Sequence, residues 1–166
     1  MISKRSLIVL VLAAVVVGGL WYWLRPTPEK AVRKRLAALA DCVSRQEQES
    51  VPGMAFKMTS LSGLFAPQVT IVISGFPGES TYTAEELASE IARFRPGFSR
   101  IDLTFYDVEV EVQDKQNASI ACTARLVLNT APSGSTQETR VLHCRLTRTD
   151  GPWQFAAFSE QPILRR

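Results

Sequence analysis

The amino-acid sequence predicts an α+β domain in which three helices pack on a curved antiparallel four-stranded sheet, preceded by one transmembrane helix. Three observations lead there. Between Ser119 and Phe158, apolar side chains alternate with a period of two in runs long enough for paired strands. Upstream, apolar residues recur at three- and four-residue spacing behind helix-capping signals. At the N-terminus, residues 7–24 carry no charge. The chain has 166 residues, 46% hydrophobic and 21% charged. Setting the N-terminal segment aside leaves roughly 140, enough for one core and not two. The net charge of +3 is spread among acidic residues except for a local cluster at Arg33-Lys34-Arg35, so nucleic-acid binding has little electrostatic support.

Residues 1–25 read as a signal anchor and residues 26–166 as the folded domain. The uncharged run lies at the short end of the roughly 17–25 residues that span hydrocarbon. Lys4 and Arg5 precede it, and Trp21, Tyr22 and Trp23 close it with rings suited to the membrane–water interface. A cleaved signal peptide and a buried helix are the competing readings. No small-x-small cleavage pattern follows the run; Arg25-Pro26 comes instead. The expected location is a single-pass membrane protein with its domain on the exported, periplasmic side. The cations that follow the run outnumber those before it and count toward the cytoplasm.

Thr27-Pro28 offers a capping hydroxyl and a proline at the first helical position. Val32, Leu36, Leu39, Ala40 and Val43 then form an amphipathic stripe to Ser44. The cluster Arg33-Lys34-Arg35 fits either a solvated face or lipid headgroups. Pro52-Gly53 is expected to break the chain, with a second, shorter helix over 54–64, a stop at Pro67 and a buried strand over 69–73. Gly75-Phe76-Pro77-Gly78 is a turn-rich loop without the spacing of a phosphate-binding loop. Thr83-Ala84-Glu85-Glu86 is a capping box, and Leu87, Ala88, Ile91 and Phe94 form one face of the helix behind it.

After Ser99 the period becomes two. Tyr106, Val108, Val110 and Val112 alternate with Asp107, Glu109 and Glu111. Ile120, Cys122, Ala124, Leu126 and Leu128 share one face with Leu142, Cys144 and Leu146. A turn about Ser133 sets Cys122 opposite Cys144, Ala124 opposite Leu142 and Ile120 opposite Leu146. A two-residue turn at Asp150-Gly151 sets Cys144 opposite Ala157 and Leu146 opposite Phe155. One face is then apolar. The other carries Glu109, Glu111, Arg125, His143 and Arg145 beside Val141 and Phe158, a mixture that a second copy could cover as a homodimer.

This order of elements resembles the cone-shaped NTF2-like (SnoaL-like) superfamily, and LTRTDGPWQF over residues 146–155 is similar to its last hairpin. The resemblance covers about residues 29–160 and brings no catalytic motif. It implies a cone between the helices and the apolar sheet face, open at one end. Parity places Asp102, Tyr106, Arg140 and Ser159 on that face near one end of the sheet. An acid, a phenol and a cation converging in an apolar pocket can serve proton transfer if desolvation raises the carboxyl pKa. The alternative is that they are solvated strand ends. His143, the one histidine of the chain, falls on the opposite face. No His/Cys/Asp cluster offers a metal site, and neither a catalytic residue nor a cofactor is assigned. Cys122 and Cys144, opposed in this register, read either as a cross-strand disulfide in an oxidising compartment or as two buried thiols; Cys42 belongs to the core.

The superfamily includes ketosteroid isomerase, polyketide cyclases and non-catalytic scaffolds, so fold alone does not choose a function. The expected role is a membrane-anchored, non-catalytic binding or scaffolding domain of the cell envelope, whose partner is another envelope protein or a small apolar ligand. The alternatives are a small-molecule isomerase/cyclase-type enzyme using the cone and a VirB8-like secretion-apparatus component.

Overall fold

The computed structural model describes residues 27–74, 80–130 and 134–161. The anchor expected over residues 1–25 lies outside them. Among the described residues no helix is long and apolar enough to cross a membrane.

Helix α1 (Pro28–Val43) starts where its cap predicts: the Thr27 side chain accepts a hydrogen bond from the Lys30 N–H. It buries Val32, Leu36, Leu39 and Cys42. Helix α2 (Val51–Ser62) begins earlier than expected. Ser50 accepts from the Gly53 N–H, and Pro52 sits in the first turn, where its missing N–H costs nothing. The Pro-Gly pair therefore opens this helix rather than breaking the chain. Helix α3 (Ala84–Phe94) carries the predicted reciprocal capping box between Thr83 and Glu86 and runs into a short 3-10 turn, Arg95–Gly97.

Among the described residues the sheet has six strands, not four, and is mixed rather than antiparallel, since β1 and β6 run parallel: β1 (Phe65–Val72), β2 (Ser80–Thr83), β3 (Arg100–Val112), β4 (Asn117–Thr130), β5 (Gly134–Thr147) and β6 (Gln154–Glu160), in the spatial order β2-β1-β6-β5-β4-β3. Pro67 lies inside β1 rather than ending the helix before it. The β1–β6 register shifts between Phe65 and Thr70, an irregularity that tolerates a residue without a donor. Strand β2, Ser80-Thr81-Tyr82-Thr83, is only four residues long and has a single apolar ring to mark it in the sequence. The three helices pack with β1 and β3–β6 around one core, in which Val32, Leu61, Val69, Ile120, Cys144, Leu146 and Phe155 are almost wholly buried.

Three register corrections matter for the site. The β4–β5 hairpin closes from Asn117 with Thr147 to Thr130 with Gly134, which sets Cys122 opposite Leu142 and Ile120 opposite Cys144. This is two residues from the expected pairing, and a slip of two leaves every side chain on its face. In β3, Tyr106 pairs with Thr123 but Glu109 pairs with Ala121, so Asp107 and Val108 together oppose one residue. Asp107 takes φ 51°, a left-handed conformation that Asp tolerates better than most residues, and forms a bulge. In β6, Leu146 pairs with Phe155 as expected but Arg145 pairs with Ala157, which leaves Ala156 as the extra residue. The connection between β5 and β6 spans Arg148 to Trp153 instead of a two-residue turn, because Thr147 pairs with Gln154.

Candidate functional site

Each bulge inverts parity for the residues beyond it, and the candidate site changes accordingly. With the bulge at Asp107, Ile101, Leu103 and Phe105 join the core face. Asp102 and Tyr106 move to the outer face, where Arg125 lies over the Tyr106 ring at 5.0 Å. Asp102 accepts from Thr104 Oγ1 at 3.0 Å and pairs with Arg100 at 3.4 Å, in the manner of a solvated strand end. The bulge at Ala156 sets Ser159 opposite His143, whose carbonyl accepts from Ser159 Oγ at 3.2 Å. Glu160, opposite Leu142, takes the place on the inner face expected for Ser159. Of the four expected pocket residues, only Arg140 keeps its face. The substitution Asp102→Asn is accordingly expected to leave ligand binding in the cone unchanged, as a titration of both proteins would read.

The cone itself holds a pocket of about 170 Å³. Leu39 and Val43 of α1 and Leu87 and Ile91 of α3 form one side. Phe65, Ile71, Leu103, Phe105, Leu142 and Phe158 of the sheet form the other. The lining contains no polar side chain, because each contributor comes from the apolar stripe of its helix or the inward positions of its strand.

Beside Leu142 and Phe158, one inward position further along each strand, stand Arg140 and Glu160. Arg140 Nη1 donates to Glu160 Oε2 at 2.9 Å and to the Ser74 carbonyl at 2.8 Å. The Ser74 N–H donates to the same carboxylate oxygen at 2.8 Å. On its other side Arg140 Nη2 meets Glu138 Oε2 at 3.1 Å. Hydrogen bonds from Ser74 and, after them, the charge of Arg140 hold the Glu160 carboxyl below its ordinary range, and Glu138 with Glu160 raises Arg140 further. An Arg–Glu pair biased toward its ionised form thus stands beside an apolar pocket. Sequence reasoning missed Glu160 because one extra residue in β6 decides which side of the sheet it takes.

Cys122 and Cys144 are free, buried thiols. They sit diagonally rather than directly opposed. A hydrogen bond to Cys122, together with burial, pushes the Cys144 thiol well above its usual range. His143 lies on the outer face, as parity predicts. Among the described residues no group of His, Cys, Asp and Glu could hold a metal ion.

The family model for the SnoaL-like domain matches residues 55–159. No curated protein matches the sequence. Among solved structures, that of LinA is similar at 16% identity and a TM-score of 0.62, over 79% of this chain and 82% of that one. A protein from Novosphingobium aromaticivorans assigned as a scytalone dehydratase aligns at 9% identity and a TM-score of 0.63, over 82% and 93%. The hexachlorocyclohexane dehydrochlorinase LinA-type3 from Novosphingobium barchaimii aligns at 13% identity and a TM-score of 0.61, over 79% and 83%. At such identities the likeness is one of fold.

Proposed function

We propose, from the premise that this chain belongs to the SnoaL-like domain family, that its cone binds a small, largely apolar molecule about the size of one six-membered ring. The observation that carries this is the wholly apolar pocket of about 170 Å³ between α1, α3 and the sheet. An enclosed apolar cavity of roughly 150 Å³ takes up benzene, and this pocket, although open at its mouth, offers similar room. The ionised pair Arg140–Glu160 at the rim would hold one polar end of such a molecule and orient it. If the uncharged run over residues 7–24 is an anchor, the pocket works beside a membrane, a source of apolar molecules.

The small-molecule reading is preferred to the scaffolding and secretion-apparatus readings, for which no feature of the site speaks. One observation favours the enzyme-type alternative within it: two of the structural neighbours are described as a dehydrochlorinase and a dehydratase. In that reading Glu160, biased toward its carboxylate form by Ser74 and Arg140, is the proton acceptor, and a weak one because the same contacts lower its pKa. Arg140 offsets negative charge developing on the molecule. Both readings are tested on the full chain in neutral detergent. Saturable binding of cyclohexanone, followed by ligand-observed NMR, supports the pocket; partition into detergent alone sinks it. Deuterium exchange alpha to the ketone carbonyl, catalysed by the protein and lost in Glu160→Gln with binding retained, supports the enzyme reading. Binding without exchange leaves the binding reading standing and removes the enzyme one.

A further inference from the structure

Helix α1 and the β5–β6 connection enclose a second concavity, a groove of about 530 Å³ that shares no residue with the cone. Lys30, Lys34 and Arg35 enter it from the helix and Arg148 from the connection. Ala31 and Ala38 lie at helical spacing beside the cations and leave room between helix and connection. Trp153 and Pro152 complete the wall. The Arg148 guanidinium lies 4.8 Å over the Trp153 ring, and its Nε donates to the Lys115 carbonyl at 3.1 Å. These contacts fix the plane of the fork and leave its terminal nitrogens without an acceptor.

The groove is one-sided in charge and in hydrogen bonding. None of its four cations forms an ion pair with a described residue, whereas Arg33 on the same helix is paired with Glu29 at 3.1 Å. The lining has no carboxylate, amide or hydroxyl side chain. The indole N–H of Trp153, buried in the same wall, also has no acceptor. Solvent-exposed charges are cheap to leave unpaired, but four of one sign around a concavity focus a positive potential into it. A planar guanidinium held by stacking next to mobile ammonium groups is a combination suited to phosphate oxygens, which accept from several donors at once.

We propose that this groove binds a phosphate-bearing anion. The phosphate comes either from a soluble compound or from an anionic phospholipid headgroup. The second source is within reach of α1, which only three residues separate from the end of the uncharged run at Leu24.

The test uses the full chain in neutral detergent at low ionic strength, where surface electrostatics is least screened. Inorganic pyrophosphate is titrated calorimetrically for the soluble arm. Mixed micelles doped with phosphatidylglycerol, compared with phosphatidylcholine, form the lipid arm. Saturable binding to pyrophosphate assigns the soluble source, and preference for phosphatidylglycerol alone assigns the lipid one. In either arm the Kd is expected to rise at least tenfold in Lys34→Gln/Arg35→Gln and in Arg148→Gln, while Arg33→Gln, outside the groove, changes it less than twofold. The helix substitutions are on the surface, so the double variant keeps its fold, which circular dichroism checks. No saturable binding in either arm, an equal loss in Arg33→Gln, or unchanged binding in the groove variants overturns the proposal.

Discussion

Replacing Glu49 by alanine is expected to lower the stability of the domain by about 3 kcal/mol, the cost of leaving a buried charge without its partner. Arg95, only 2% exposed, is the charge in question. Its Nη2 donates to Glu49 Oε2 and to the Ser44 carbonyl, each at 2.8 Å, while Nε and Nη1 find no acceptor. Lys57 approaches the other oxygen of Glu49 at 3.1 Å. Arg45 clamps the same corner by donating to the carbonyls of Arg95 and Phe98 at 2.8 and 3.0 Å. The cluster ties the α1–α2 connection to the end of α3, so its loss frees both. In a chain of this length the expected fall in Tm is about 10 °C. The second substitution of a double variant, Glu49→Ala/Arg95→Met, removes the stranded charge and should recover most of the loss. No recovery in a thermal or urea melt would mean that the pair matters through shape rather than charge.

The same carboxylate sets a pH dependence. Burial opposes the ionisation of Glu49, but the Lys57 ammonium and the Arg95 guanidinium outweigh it and hold its pKa below the ordinary glutamate value. A folded pKa below the unfolded one stabilises the fold above the ordinary value, near 4.3. That stabilisation is lost as the pH falls through the lowered one. The wild-type protein is therefore expected to lose stability on acidification below about pH 4. The dependence should be shallower in Glu49→Ala.

Filling the cone is expected to abolish ligand binding without unfolding the protein. Ile91 lines the pocket from α3 and is only half-buried, so a larger side chain can enter from the mouth with little strain. In the wild type, a ring-sized ligand at about ten times its Kd stabilises the fold by about 1.4 kcal/mol, a Tm rise of roughly 4 °C. Ile91→Trp should show no such rise while melting within a few degrees of the unliganded wild type. A full ligand response in this variant would move the binding site out of the cone.

Much of the architecture was legible locally. The Thr27 cap, the Thr83–Glu86 capping box and the apolar stripe of α1 follow from hydrogen-bonding side chains and a 3.6-residue period, both properties of short stretches. So do the alternating runs of β4 and β5, whose faces survive a two-residue error in register. The site was not legible in the same way. Alternation tells which residues share a face only while the strand is regular, and Asp107 and Ala156 interrupt it. Nothing in a run such as Phe105-Tyr106-Asp107-Val108 announces which residue will leave the ladder. That depends on how far the sheet must bend to close over α1 and α3, a demand set by the packing of the whole core.

The sequence by itself determined an α+β domain with one apolar and one mixed sheet face, an inward Arg140 and an outward His143. Only the tertiary structure decided that Asp102, Tyr106 and Ser159 leave the pocket side. It also placed Glu160 on that side, where Ser74 and Arg140, distant in sequence, lower its pKa. The reason is that a face is a local property of the backbone, whereas a pocket forms where several faces meet.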